Sequence, residues 1–183
     1  TILNQATLEH ALSFHLGKKL EKGSMQPSSM VDLFHEALST DESIQGAIRL
    51  DLGAIIDRDP ACDRYSLPML YYKGFHALTS YRVANWFWHQ NRKELAFFLQ
   101  NRISEIFSVD IHPAATIGHG ILIDHATSVV IGETAVIGNN VSILHEVTLG
   151  GTGKDQGDRH PKIEDGVLIG AGAKLLGNIK IGK

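Results

Sequence analysis

From Ile111 onward an aliphatic residue returns every six positions, and few chain conformations allow that. Ile111, Ile117 and Ile123 form one run, Ile131, Ile137, Ile143 and Leu149 a second, and Ile163, Ile169, Leu175 and Ile181 a third. Four residues after most of them comes a second small or aliphatic side chain: Ala115, Ile121, Thr127, Ala135, Val141, Val147, Val167, Ala173 and Ile179. A six-residue step fits neither the turn of a helix nor hairpins with loops of changing length. It predicts short strands joined at corners, coiling so that like side chains stack in layers, with two inward positions per hexad. A glycine-rich β-sandwich would leave eleven matching aliphatic positions to chance. Of the 18 glycines, 13 follow Phe107, and Gly118, Gly132, Gly138, Gly150, Gly170 and Gly182 come directly after the aliphatic residue. A tight bend or a positive φ is expected there.

Before Phe107 the period is different. Leu8, Leu12 and His15, then Ile44, Ala47, Ile48 and Leu52, then Leu95, Phe98, Leu99, Arg102 and Ile106 recur at three and four, which places each group on one face of a helix. Breaks are expected at Gly23 to Pro27, at Asp59-Pro60, and at Ser66-Leu67-Pro68, where Ser66 is read as a cap. The chain is therefore expected to be α+β, with a helical part over 1–109 followed by a β-helical part over 110–183.

Charge and cysteine content narrow the function. A net charge of -3, with no Lys/Arg-rich stripe, gives no long-range attraction for phosphate backbones or anionic membranes, so neither nucleic acid nor membrane is expected as a partner. Cys62 is the only cysteine and cannot make an internal disulfide. No apolar run approaches the roughly 20 residues that cross a bilayer, and no secretory signal stands at the start; a cytoplasmic location is the expectation.

The interruptions of the repeat point to a site. The step is eight between Ile123 and Ile131, and fourteen between Leu149 and Ile163. The second gap holds GGTGKDQGDRHP, Gly150 to Pro161, read as a loop thrown out from a corner; its polarity has no use in a core, and loops on rigid scaffolds often carry binding groups. Without a strand-loop-helix context, a nucleotide-binding P-loop is a weak reading of it. In the hexad Ile123-Asp124-His125-Ala126-Thr127 the inward slots are Ile123 and Thr127, which turns His125 outward beside a carboxylate. A lone outward histidine is more often a solvated surface residue, but Asp110, Asp124, Arg159 and His160 also lie near the start or the interruptions of the repeat. An imidazole in that company suits a general base.

These residues belong to recognisable motifs. VDIHPAATIGHGILIDHAT (Val109 to Thr127), VVIGETAVIG, VTLGGTGKDQGDRHPKI and IGAGAKLLGNIKIG, with RDPACDRYSLPMLYYKGFHAL (Arg58 to Leu78) upstream, closely resemble bacterial serine acetyltransferases over nearly all of residues 31 to 183. The resemblance implies a left-handed parallel β-helix, and transfer of acetyl from acetyl-CoA to the hydroxyl of L-serine, giving O-acetyl-L-serine, the step that commits serine to cysteine synthesis. Acetyl-CoA is then a cosubstrate, and neither a metal nor a permanently bound cofactor is expected. Mapped by motif, His125 would be the general base and Asp110 the carboxylate that orients it. Their contact does not follow from spacing, since fifteen residues is three short of a full coil. The family pocket for serine would use Asp59, Asp124, Arg159 and His160. A guanidinium can grip the substrate carboxylate, carboxylates can receive its ammonium, and His160 could contact the carboxylate or hold an oxyanion. Read without the resemblance, Asp59 is a turn residue before Pro60.

Acetyl-CoA would lie near Gly151 and around Ala171, Ala173 and Gly177. The resemblance further implies sites between adjacent prisms of a homotrimer, pairing of trimers into a hexamer through the helical part, and inhibition by L-cysteine in the serine pocket. Tyr71, Tyr72, Phe75, Trp86 and Trp88 are compatible with such pairing and equally with an ordinary helix core. The chain stops at Lys183 inside the hexad begun at Ile181. Family members continue with more coils, which contribute to CoA binding, and a tail that docks into O-acetylserine sulfhydrylase, so a C-terminally truncated form is expected.

Three rival readings stand beside this one. His112, His119, His125, His145 and His160 invite comparison with β-helical carbonic anhydrases, which bind zinc through three histidines, but His112 and His119 read as turn residues and no spacing demands a metal. A non-catalytic scaffold would use the same repeat. An acetyltransferase for homoserine or a sugar hydroxyl would share most of the site.

Overall fold

The computed structural model describes residues 2–21 and 27–182. Among the described residues a short 3-10 helix (Ile2–Asn4) is followed by six α-helices: α1 (Leu8–Leu20), α2 (Pro27–Thr40), α3 (Glu42–Arg58), α4 (Ser66–Tyr71), α5 (Lys73–His89) and α6 (Lys93–Phe107). Their ends follow local chemistry. The Thr7 side chain accepts from the His10 N–H to start α1, and the Asp41 side chain accepts from Ser43 and Ile44 to start α3. Helix α3 stops at Arg58 because Asp59 precedes a proline and is pushed to extended backbone (φ -101, ψ 103). Ser66 does not cap α4 as expected: it is the first helical residue, and Tyr65 before it makes no side-chain cap bond. Apart from Pro27, which opens α2, the break expected at Gly23 to Pro27 lies outside the described residues.

Helices α1 and α2 form one hairpin and α5 and α6 another. On α6 the core face is Ala96, Leu99, Arg102, Ile103 and Phe107, while the expected Ile106 is 44% exposed. Helix α5 is buried nearly all round, from Phe75 to Phe87, because it lies between the other helices and the strands that follow.

From Val109 the described residues wind through eleven short strands in three parallel sheets. Sheet A stacks β1 (Val109–Ile111), β4 (Val129–Ile131), β7 (Thr148–Gly150) and β10 (Lys174–Leu176). Sheet B stacks β2 (Thr116–Ile117), β5 (Val136–Ile137), β8 (Lys162–Ile163) and β11 (Lys180–Ile181), and sheet C stacks β3 (Leu122–Ile123), β6 (Ser142–Ile143) and β9 (Leu168–Ile169). The register pairs the repeat with itself: Ile111 with Ile131, Ile131 with Leu149, Ile137 with Ile163, Ile143 with Ile169. Both interruptions are therefore absorbed at corners, and the layers of the core continue past them. Of the expected inward residues, most are buried, but Ile179 in the last coil is 40% exposed.

Two corrections concern corners. Thr127 is exposed, and Ala126 fills the inward slot, because the corner after β3 carries two extra residues and its backbone turns over at His125 (φ 57), Ala126 (φ 60) and Ser128 (φ 60). None of the six glycines after the aliphatic positions has positive φ. At Gly132 the reason for glycine is close approach instead: an added Cβ would lie 2.0 Å from His160 Nε2.

Helices and prism are locked together. Arg82 on α5 donates to Asp51 Oδ2 at 2.9 and 2.7 Å and to the Gly118 carbonyl at 2.7 Å, while Asp51 Oδ1 accepts the Ile121 N–H at 2.9 Å. Both side chains are buried, so this pair is fully bonded rather than merely charged. Tyr81 donates to the Ala115 carbonyl, and Arg58 reaches Ser142 Oγ at 3.2 Å and Asn140 Oδ1 at 3.3 Å. Gly74 lets the start of α5 sit on the prism, where a Cβ would be 2.0 Å from the Ile123 carbonyl oxygen.

Candidate active site at two corners of the prism

The candidate residues gather at two of the three corners, one on each side of sheet A. The corner leading from sheet C into sheet A carries Asp124 and His125 in the first coil, His145 in the second, and Ala171 and Ala173 in the third; the Gly172 N–H bonds the His145 carbonyl at 3.0 Å. The His125 side chain is 76% exposed, with Nε2 3.8 Å from Asp124 Oδ2, an approach that becomes an ion pair when the ring takes a proton. His145 stands edge-on to it, ring centroids 5.8 Å apart, and among the described residues its buried Nδ1 has no hydrogen-bond partner.

Helical residues close this corner into a pocket of about 380 Å³ lined by Asp59, Tyr72, Lys73, Asp124 and His125 among others. Asp59 Oδ1 accepts the Ala61 N–H at 2.9 Å as a turn residue would, and Asp59 lines the same pocket as His125. The Tyr72 phenol is pushed up to about 12 by desolvation first, then by Cys62 and Asp59, and stays a neutral donor.

The corner leading from sheet A into sheet B carries the rest. Asp110 lies on β1 opposite Val130, its Oδ1 accepting from Gln100 Nε2 at 2.7 Å, and among the described residues no hydrogen bond or ion pair joins it to His125. Past it come His112, then Glu133 and Thr134, then the loop with Arg159 and His160, then Gly177. Arg159 is held by Glu133 Oε2 at 2.7 Å and by the Gly157 carbonyl at 3.0 Å; this guanidinium keeps the Glu133 carboxyl below the usual carboxylate range. Gly151 packs beside the Arg159 stem, and Gly177 (φ 90) faces the Thr152 methyl at the loop base. The four residues expected near CoA are thus divided, Gly151 and Gly177 here, Ala171 and Ala173 at the other corner.

His160 has its tautomer set by Thr134. The Thr134 hydroxyl accepts the N–H groups of Arg159 (3.0 Å) and His160 (3.1 Å) and lies 2.8 Å from His160 Nδ1, and the Thr134 main-chain N–H, which can only donate, points at Nδ1 at 3.2 Å. Nδ1 is therefore an acceptor, and the proton sits on Nε2, over Gly132. Burial, then the Arg159 charge, holds the ring pKa below that of free imidazole, so His160 is a neutral N–H donor. His112 is fixed similarly, Nδ1 accepting the Ala114 N–H at 3.1 Å and the ring packed edge-on to Trp88 and Phe97; burial lowers its pKa too.

Neither the repeat nor the motifs mark Glu133, Thr134, Lys73 or the packing role of Gly132, and they mark His145 only as one of the histidines of the zinc reading. Stacking arithmetic was the available signal: His145 lies one coil above His125, and Gly132 to Thr134 one coil below the loop. Among the described residues no group of three or more His, Cys, Asp or Glu side chains could hold a metal ion, and no helix is long and apolar enough to cross a membrane.

Known proteins share the sequence and the fold. The model of the N-terminal region of serine acetyltransferases matches residues 1–80. The Escherichia coli K12 serine acetyltransferase is 55% identical over 183 residues, 100% of this chain and 67% of that protein, and serine acetyltransferase 5 of Arabidopsis thaliana is 59% identical over 98% of this chain and 58% of its own length. Among solved structures, soybean serine acetyltransferase complexed with serine superposes with a TM-score of 0.97 at 61% identity, over 100% of this chain and 75% of that one. The Brucella abortus enzyme in complex with coenzyme A gives 0.97 at 51% identity, over 100% and 73%. A helical N-terminal region followed by a left-handed parallel β-helix is the shared architecture. With this identity along its whole length, the chain belongs to the serine acetyltransferase family.

Proposed function

We propose that the chain transfers acetyl from acetyl-CoA to the L-serine hydroxyl at a site completed between two neighbouring prisms, and the observation that carries the reading is the division of the candidate residues between two corners. One corner offers a base, His125, beside the carboxylates Asp59 and Asp124; the other offers Arg159, the neutral donor His160, and Asp110. Side by side in a ring of prisms, the first corner of one subunit meets the second corner of the next, and every group then has a task. Such a closed homotrimer also supplies the contact between Asp110 and His125 that one chain does not make.

In that site Asp59 and Asp124 receive the substrate ammonium and Arg159 grips its carboxylate. An alcohol is barely ionised at neutral pH, so His125 takes the hydroxyl proton as the oxygen attacks the thioester carbonyl carbon. The Asp110 carboxylate holds the imidazole and stabilises the imidazolium. His160, a neutral N–H donor, steadies either the oxyanion or the substrate carboxylate. Collapse of the tetrahedral intermediate breaks the C–S bond, and His125 returns its proton to the CoA thiolate. One such base contributes roughly 10²–10⁴ in rate, and holding both substrates together contributes more.

Acetyl-CoA lies along the same junction, against Gly151 and Gly177 of one subunit and Ala171 and Ala173 of the next. The soybean complex with serine and the Brucella complex with coenzyme A support both substrates. L-cysteine, which differs from serine in one atom, competes in the serine pocket. Residues 1–109 pair trimers into a hexamer, and the reaction runs in the cytoplasm. Thiol release from acetyl-CoA, compared with serine, homoserine and sugars as acceptors, tests the reading: serine gives the fast rate and His125→Ala abolishes it. A serine rate no higher than background ends the proposal.

A further inference from the structure

We infer that Lys73 is a positioning residue for His125, acting through the Thr127 hydroxyl; this deepens the reading of His125 as the base. His125 has little of its own to hold it, being largely exposed, with a 3.8 Å approach to Asp124 and an edge contact to His145. Within its own chain the ring is therefore placed by the corner backbone, which must present it to the neighbouring subunit's Asp110 in the proposed site. That corner is two residues longer than a regular one, and three of its residues with a Cβ, His125, Ala126 and Ser128, take left-handed backbone. L residues adopt it reluctantly, so neighbours must hold the corner in shape.

Main-chain bonds do part of this: Ser128 N–H to the Ser108 carbonyl at 2.8 Å, and Glu146 N–H to the Thr127 carbonyl at 2.7 Å. From the helical part, Lys73 Nζ donates to Thr127 Oγ1. Lys73 opens α5, whose start is pressed onto the Ile123 carbonyl at Gly74, so its backbone is a fixed post relative to β3. Lys73, Asp124 and His125 line one pocket, so a loosened tie displaces the base within the space the substrate occupies.

Steady-state kinetics of the intact protein test this with Lys73→Met, Thr127→Val, the double variant, and the conservative Lys73→Arg and Thr127→Ser. Each of the first two lowers kcat on the order of 10-fold, since misplacing a reacting group by about 1 Å can cost up to about 100-fold. KM for acetyl-CoA stays the same, Thr127→Ser restores the rate, and the double variant is no slower than Lys73→Met alone, because both changes cut one tie. Wild-type rates in both single variants overturn the inference. So does a slow Lys73→Met beside a normal Thr127→Val, which makes Lys73 a direct substrate contact, and so do effects that multiply in the double variant. His125→Asn separates the two levels: if it keeps full rate the base assignment fails, whereas if it is inactive while both single variants are normal only the tie fails.

Discussion

Gly132→Ala should disable His160 while leaving every polar group of the site in the sequence. The added Cβ would lie 2.0 Å from Nε2 and 2.1 Å from Cδ2 of the ring, whereas ordinary contact begins near 3.4 Å. The imidazole must retreat by at least about 1.4 Å, the difference between those distances, and it cannot do so while Nδ1 keeps its bonds to the Thr134 hydroxyl at 2.8 Å and N–H at 3.2 Å. Losing two hydrogen bonds at about 0.5–1.5 kcal/mol each, with some overpacking, destabilises the prism by roughly 2–4 kcal/mol. Displacing an oxyanion donor lowers kcat by about 10²–10³. Thiol-release kinetics together with thermal unfolding read both effects. Gly170→Ala is the matched control, since a Cβ there meets nothing within 4 Å and stability should be unchanged. A higher KM for serine with kcat retained assigns His160 to the substrate carboxylate instead of the oxyanion. Wild-type kcat and KM in folded Gly132→Ala would refute the placement of His160 in the site.

Replacing Arg82 with Met strips the buried Asp51 carboxylate of its partner and should cost about 3–5 kcal/mol in urea unfolding, with Arg82→Met/Asp51→Asn recovering part of it. An unchanged midpoint in the single variant would show the lock is not needed. Stability should also fall with acid through His76, whose buried ring bonds the Met69 carbonyl at 2.9 Å and is held down to about 4 by desolvation first. The unfolded chain binds that proton near 6.5 and the folded one only near 4, so this contribution is complete above 6.5, is lost as pH falls through the window, and totals roughly 3 kcal/mol. Denaturation at pH 7.5 and 4.5 should differ by less in His76→Asn than in the wild type, and equal slopes would contradict the assignment.

The prism was legible because its inward positions are set by one repeating step, and stacked coils tolerate insertions only at corners; Ile131 over Ile111 and Ile163 over Ile137 keep that phase through both interruptions. Thr127 falls outside the inward slot that a six-residue step assigns to it, because left-handed backbone at this corner spends two residues without advancing the chain. In the helical half the spacing rule blurred at α5, where burial on all sides leaves no polar face to mark a period. Within the site, His125 and Arg159 stood out as polar groups at breaks in an apolar pattern. Thr134 and Glu133 did not, since their roles arise only when the next coil lays His160 and Arg159 on top of them. The gap between Asp110 and His125 is invisible to any pattern within one chain if a second subunit closes it.

That last point allows a direct test by mixing. His125→Ala removes the base from one corner and Arg159→Ala removes the grip from the other, so each homotrimer should be inactive. Coexpressed in equal amounts, the two variants assemble rings in which about a quarter of the junctions pair an intact His125 corner with an intact Arg159 corner, and about a quarter of wild-type activity should return. A mixture as inactive as its parents, in trimers shown to contain both variants, would place all of these residues in a site within one chain and contradict the account.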